Sequence, residues 1–397
     1  MHDTKKRVLN AITLATVILL IACFSAPALA QSNAAAAVAP FSASVKQPTS
    51  VAGISILADR PTGFNPLTAS NAELGRYGLP QRPDSQTNPR AFSHWTKAMQ
   101  AIQYRAADVK ALPFSSTNMK MANQQSEAAI SAGPTEYYSY NWSGAANTNT
   151  AKSWNNVASF NYVQSTFNVP AAQPPFGACK SGVTGAVGVP GFYVASWNGI
   201  DGFSNGDVLQ GGSLSYADCG GHVDNFYIGW VEWYPSYPIL ELDCLRGKNV
   251  VACPVSAGDQ FFVITYGANA ATQYVFVEDA TQGWYGTFSL AYVTGPLLVG
   301  SSAEQVVERP CCDNDGYPLA LTNYIANSFD YAWATNGKGQ IYGPGQQRAA
   351  TAVITMVDDG VTQTISTVNQ GSSGFQGFYS LFFESDNCAY EGGCASQ

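Results

Sequence analysis

The larger part of this chain is predicted to be all-β, two packed antiparallel sheets behind a leader of different composition. Three observations predict it. Beyond Tyr137, runs rich in β-branched and aromatic residues recur every ten to fifteen residues, broken by Gly, Pro, Asn and Asp. Several alternate cleanly, as in Val275-Phe276-Val277-Glu278 and Thr362-Gln363-Thr364-Ile365-Ser366-Thr367. Each such strand has one face to bury, and a second sheet is the natural cover for it. Almost no helical periodicity interrupts them, and roughly 260 residues are enough for one sizeable core.

The expected strands are Gly191–Trp197, Tyr227–Tyr234, Gln260–Tyr266, Tyr274–Glu278, Thr287–Val293, Glu304–Glu308, Ala352–Val357, Thr362–Val368 and Phe378–Glu384. No internal repeat argues for a propeller or solenoid.

The start of the chain reads differently. Lys5, Lys6 and Arg7 precede an apolar run from Ala11 to Phe24, and Ala28-Leu29-Ala30 supplies a small-x-small cleavage site. The run falls short of the roughly 20 apolar residues of a membrane span, so residues 1–30 are expected to be a signal peptide and the protein to be secreted. Residues 31–130 are rich in Ala, Ser, Asn, Gln and Pro and are expected to be a pro-segment. One helix is expected there, Phe92–Leu112, because Trp95, Met99, Ile102, Ala106 and Val109 recur at steps of four and three. The β domain then occupies residues 131–397.

Charge separates the same two parts. The net charge is −8, but residues 31–130 carry nine Lys+Arg against five Asp+Glu, and residues 131–397 carry seven against twenty-one. Opposite fields attract, so the leader is expected to lie on the domain until its carboxylates protonate. An acidic domain repels nucleic acid and anionic membrane, and neither is an expected partner. Eight cysteines remain after Cys23, an even set that suggests disulfides in an exported chain. Short separations favour Cys244 with Cys253 and Cys388 with Cys394. There is no C-x-x-C pair, and His222 is the sole histidine after residue 94, so no metal is expected.

Common catalytic arrangements can be tried in turn. Ser-His-Asp and Cys-His machinery needs an imidazole, and His222 lies in a loop-like Cys-Gly-Gly-His-Val-Asp stretch. The Asp-Thr-Gly or Asp-Ser-Gly turns of two-aspartate proteolysis are missing. What remains is carboxylate chemistry of another kind.

Two segments stand out, Trp197-Asn198-Gly199-Ile200-Asp201-Gly202 with Leu209-Gln210-Gly211-Gly212, and Ser302-Ala303-Glu304-Gln305-Val306-Val307-Glu308-Arg309-Pro310. Between them lies the aromatic strand Tyr227-Ile228-Gly229-Trp230-Val231-Glu232-Trp233-Tyr234-Pro235, and ahead of them Asn141-Trp142-Ser143-Gly144. Together with Gly258-Asp259, this ordered set resembles the glutamic peptidases, or eqolisins, over residues 137–325.

The resemblance implies a lectin-like, concanavalin-type jelly roll and an acid endopeptidase that uses no cofactor. It places the catalytic glutamine at Gln210 and the catalytic glutamate at Glu308. Glu304, four residues earlier on the same strand face, is the second choice for the glutamate. Trp197, Asp201, Trp230 and Glu232 are implied to line the cleft. The glutamate would take a proton from water and return it to the leaving amine, while the Gln210 amide stabilises the oxyanion. The implied partners are polypeptide substrates and the chain's own pro-segment as inhibitor, and a monomer is expected.

The chain departs from the pattern at Gln305, where the family has Trp. It departs again in the Cys219–His222 stretch, the Cys311-Cys312 loop and the tail past Asp386. Two other readings stay open on the residues alone. One is a glycoside hydrolase using Glu232 and Glu308, the other a lectin-like carbohydrate-binding domain. Asn141-Trp142-Ser143 also reads as a glycosylation acceptor.

Overall fold

Alternation along the chain sets the strands, and the register between them sets everything that follows. The computed structural model describes residues 41, 45–113, 115, 117, 119–120, 134–154, 156–175, 191–218, 226–311, 318–345 and 350–357, with the backbone of 364–369 and 378–382. The expected signal peptide, His222, and the expected Cys388–Cys394 pair lie outside the described residues.

The N-terminal segment forms β1 (Lys46–Pro48), β2 (Ile54–Leu57), α1 (Asn71–Arg76), α2 (Pro89–Ala101) and β3 (Tyr104–Ala111). Helix α1 begins with a capping box in which Ser70 and Glu73 satisfy each other's backbone N–H groups. Helix α2 opens on an Asn88 cap and Pro89, both suited to a first turn.

The single helix expected over 92–112 is therefore wrong in its second half. Ala106 and Val109 are buried as their spacing suggested, but on a strand. Asp243 pairs with Asp108 and Cys244 with Ala106, leaving Ala107 as the extra residue of a bulge. The bulge shifts the strand's phase by one, so residues three apart share a face and imitate a helix.

The body follows with β4 (Thr135–Ser139), β5 (Trp142–Thr148), β6 (Phe160–Asn168), β7 (Phe192–Ile200), β8 (Val208–Ala217), β9 (Phe226–Tyr234) and β10 (Leu240–Arg246). Next come β11 (Asn249–Ala252), β12 (Gln260–Asn269), β13 (Thr272–Asp279), β14 (Trp284–Ala291), β15 (Ser302–Glu308) and β16 (Ala326–Asn336). The last are β17 (Ile341–Tyr342), β18 (Thr351–Val357), β19 (Thr364–Asn369) and β20 (Phe378–Phe382). Every expected strand has its counterpart, and Cys244–Cys253 is a disulfide.

Two layers pack face to face. One runs β4-β18-β5-β15-β7-β8-β9-β10. The other runs β20-β16-β6-β12-β13-β14-β2. Val194, Leu209, Val231 and Trp233 of the first meet Phe167, Phe261, Val263, Val275 and Phe288 of the second in the central core.

The layers are not separate sheets, as the sequence suggested. Strand β3 pairs with both β10 and β14, and β19 with β20 links β18 to β16, so one ladder runs through all twenty strands. Two of its pairings, β3 with β14 and β4 with β18, are parallel.

The N-terminal segment wraps this body. Leu57, Leu74, Leu79, Trp95, Met99 and Ile102 pack on the outer face of the second layer, against Phe262, Ile264, Tyr274, Phe276 and Tyr285. Fully burying a side chain of this size is worth about 1.5–3 kcal/mol. Among the described residues a single ion pair, Lys110–Glu241 at 3.7 Å, joins segment to body. Apolar burial and strand pairing hold the segment in place; the long-range attraction between the two charged parts is secondary.

Candidate active site

The outer face of the first layer carries the residues singled out above. Strand β15 lies between β5 and β7, and its even-numbered side chains point away from the core. Register then aligns three transverse rows. The first is Glu304, Gly199, Gln210 and Glu232, and the second Val306, Trp197, Gly212 and Trp230. The third is Glu308, Ala195, Leu214 and Ile228.

Gln210 and Glu304 thus share a row with only Gly199 between them. At a strand spacing of about 4.8 Å their Cα atoms are roughly 10 Å apart, within joint reach of one carbonyl. Glu308 is four residues farther along β15, about 13 Å by backbone, but its carboxylate reaches Trp197 of the middle row. Gly199 lets its neighbours pack close against the strand, since a Cβ there would sit 2.9 Å from the Leu209 carbonyl oxygen and from Trp197 Cζ3 and 3.2 Å from Gln210 Cβ.

The Gln210 side chain is held by its neighbour in the row. Its Nε2 donates to Glu232 Oε2 at 2.8 Å. Both Glu304 oxygens are buried without a partner in hydrogen-bonding geometry. Burial pushes the Glu304 carboxyl well above the usual range; the Ser302 hydroxyl tempers this, and Asp201 and Asp207 add to it. Asp207 is pushed up to about 8, first by burial and then by Asp201. For these two carboxyls burial favours the neutral form.

Glu308 has a different environment. Its Oε2 accepts from Trp197 Nε1 at 2.7 Å, and its Oε1 accepts from the backbone N–H of Thr117 at 3.1 Å. Trp142 and Trp197 meet edge to face at 4.9 Å beside it. Trp230 lies fully buried in the row of Trp197.

Asp201 does not present its carboxylate to this face. Its two oxygens accept from the backbone of Val299, Gly300 and Ser301 and from the Ser301 hydroxyl, at 2.6–2.9 Å. It clamps the loop that feeds β15, from a left-handed turn at φ 68° that Asp tolerates better than most residues. It thereby also fixes where β15 begins, with its own N–H on the Ser302 carbonyl at 3.0 Å.

Leu112, Ser115, Thr117, Met119 and Lys120 of the N-terminal segment lie against the same face. The N–H of Leu112 reaches the Ile239 carbonyl at 2.9 Å, and Ser115 pairs with Cys311 in both directions. Asn141 receives the Lys120 N–H on Oδ1 at 2.8 Å and donates Nδ2 to Thr117 Oγ1 at 3.1 Å. With the segment in place Gln210, Glu232, Glu304 and Glu308 are all fully buried.

Sequence reasoning missed this use of Asn141. Its signal was the Asn-Trp-x-Gly stretch, read as a family mark or glycosylation acceptor; a fully buried amide is unsuited to the latter. Asp207 carried no motif at all. Among the described residues no three His, Cys, Asp or Glu side chains are grouped to hold a metal ion.

Residues 140–376 match the model of the Peptidase A4 family. Similar solved structures include scytalido-glutamic peptidase with a transition state analog inhibitor, at 18% identity over 62% of this chain and 98% of that one, TM-score 0.44. Another is SCP-B of the eqolisin family with the tripeptide Ala-Ile-His, at 18% identity, the same two coverages and TM-score 0.43. The aspergilloglutamic peptidase of Aspergillus niger matches at 21% identity over 48% of this chain and 99% of that one, TM-score 0.38. No curated protein sequence matches. The family match spans more than half of the chain and takes in Gln210, Glu232, Glu304 and Glu308 together: the chain belongs to the peptidase A4, or eqolisin, family.

Proposed function

We propose that this is a secreted acid endopeptidase of the glutamic type, in which Glu304 and Gln210 act on the scissile peptide bond. The observation that carries the reading is their shared row, with only Gly199, which has no side chain, between them. The resemblance carries the glutamate role to Glu308, whose carboxylate lies on Trp197 Nε1 in the next row; the shared row with Gln210 is what supports Glu304.

In the reaction a water lies between Glu304 and the substrate carbonyl. The carboxylate takes a proton from it as the oxygen attacks, and the resulting acid returns that proton to the leaving amine. Gln210 gives one N–H to Glu232 and has a second for the developing oxyanion. Its amide does not titrate, so it serves unchanged across the acid range.

Residues 31–130 act as a pro-segment that keeps the site covered. Uncovering admits water, lets the Glu304 pKa fall back toward the ordinary carboxylate range, and makes a base available in acid. Polypeptides are the substrates, and the working unit is a monomer.

The test is digestion of casein or haemoglobin from acid to neutral pH by the wild type, Gln210→Ala, Glu304→Gln and Glu308→Gln, with a pepstatin control. Acid cleavage that ignores pepstatin and is lost in Gln210→Ala and Glu304→Gln is expected. A wild type that matures and cleaves nothing at any pH sinks the proposal and turns attention to sugars.

A further inference from the structure

Glu278 lies in the contact between the N-terminal segment and the body. It stands on the outer face of the second layer, directly between Phe262 of β12 and Tyr285 of β14. Those two rings belong to the apolar cluster that Leu57, Leu74, Leu79, Trp95 and Ile102 close from outside. Glu278 is fully buried there, and neither carboxyl oxygen has a hydrogen-bond partner among the described residues.

The segment brings cations to this place and ties them to itself. Arg60 donates Nη2 to the carbonyls of Ile102 and Gln103, at 2.8 and 3.3 Å. Arg105 donates to the Leu57 carbonyl at 2.7 Å and to Gln47 Oε1 at 2.8 Å, with Asp59 as its nearby anion. On the body's side Asp279 is next along β13 and turns to the other face. Its Oδ1 accepts from the backbone N–H groups of Thr281 and Gln282 at 2.9 Å. A carboxyl so enclosed is tolerated as the neutral acid, and its anion is costly. Burial, and then Asp279, push Glu278 up to about 8 against a pull from Arg60.

We propose that the N-terminal segment closes over Glu278 as a proton-dependent cover, seated firmly while Glu278 holds its proton and lifting more readily once that proton leaves. As control of the site beneath residues 112–120 this rests on the peptidase reading above; as a property of the contact it does not.

Lifting the segment returns Glu278 to water and to the ordinary glutamate range, about 4.3. Its contribution to closure is therefore full below that range and is lost as pH rises toward about 8. Asp108 and Asp243, directly opposite each other across β3 and β10, act in the same sense. Net charge alone suggests the reverse, a leader that acid loosens.

Two contacts do work in that reverse sense. Lys110–Glu241 loses its attraction when Glu241 is protonated. His94 of α2 lies on the Tyr331 ring, and burial, Lys97 and Arg90 push it down to about 4. It opposes closure progressively as pH falls from the ordinary histidine value of about 6.5. Above that value His94 is neutral in both states, and the Glu278 effect can be read without it.

Hydrogen exchange of the full chain tests this, in a Gln210→Ala background that the peptidase reading expects not to digest itself. Opening of α2, taken as exchange rate over intrinsic rate, is compared with that of β13. From about pH 6.5 to 7.5 the opening of α2 should grow about tenfold, the slope for one proton. With Glu278→Gln added it should grow less than about threefold, since the amide cannot ionise.

An α2 opening that ignores pH, or that rises equally with and without Glu278→Gln, overturns the proposal. So does an α2 that exchanges only together with β13. Should Glu278→Gln not accumulate, the slope in Gln210→Ala alone decides, and a flat or falling slope overturns the cover. A wild type that matures and cleaves no protein defeats the peptidase reading instead, and leaves the exchange result standing.

Discussion

Gln210 and Glu304 stand in one row of residues across three strands, with only Gly199 between them. Neither residue is near the other in sequence. The pairing of β7 with both β8 and β15 creates the relationship, and the first prediction tests the close packing at Gly199. Gly199→Ala puts a methyl group against Trp197 Cζ3 and Gln210 Cβ. Overpacking of this kind costs about 1–3 kcal/mol, and displacing a reacting group by about 1 Å costs on the order of 10²-fold in rate. Thermal unfolding and kcat together check it.

Gln210→Ala removes the proposed oxyanion donor. A fall in kcat of about 10²–10³-fold is expected, with KM little changed. Glu232→Ala leaves the amide in place but frees it to rotate. A smaller loss, about tenfold, is expected in the same assay. Equal losses in the two variants would mean that Glu232 does more than hold the amide.

The pH dependence of stability follows from four carboxyls. Glu278 and Asp279 are each pushed up to about 8, chiefly by burial, as is Asp207, and Glu304 lies well above its ordinary value. A folded pKa above the unfolded one means that the folded state keeps a proton the unfolded state releases. Their contribution is fully present below about pH 4, the ordinary carboxylate value, and is lost as pH rises toward 8. Calorimetric Tm of the full chain should therefore fall between pH 4.5 and 7.5 (roughly the span between those values), and Glu278→Gln should flatten part of the slope. A Tm that climbs across the window contradicts this.

The N-terminal segment is expected to stay on the body in high salt. Lys110–Glu241 is largely exposed on its lysine side, and such pairs contribute at most about 1 kcal/mol. Trp95 is buried in the segment's apolar contact and gives its Nε1 to the Pro80 carbonyl at 2.8 Å. Trp95→Ala should cost about 3–5 kcal/mol. Limited proteolysis of the segment should accelerate in Trp95→Ala and be unmoved in Lys110→Ala.

The strands were legible in the sequence because alternation is a local signal, and Val275-Phe276-Val277-Glu278 behaves as it reads. What local pattern could not supply was phase and partner. Ala106 and Val109 imitate a helix because a bulge at Ala107 breaks the period of two. Glu304 and Glu308 share a face by parity, as expected, but which of them meets Gln210 depends on register through Gly199, a long-range fact. Asp201 was expected to line the cleft, and its carboxylate instead holds the loop before β15. Its neighbours in the motif gave no hint that the backbone of 299–301 would take all its oxygens. The use of Asn141 needed its long-range partners Thr117 and Lys120 to be seen at all.

Strand β3 supplies hydrogen-bond partners to β10 on one side and to the start of β14 on the other. A protein that sheds residues 41–120 gives up both, and β2 along with them. The mature molecule then carries two raw strand margins with unmet N–H and C=O groups, the kind of margin that recruits another chain. Its longevity would rest on a slow unfolding rate more than on depth of equilibrium. Once denatured, it would lack the piece that closed its edges and would clump sooner than refold.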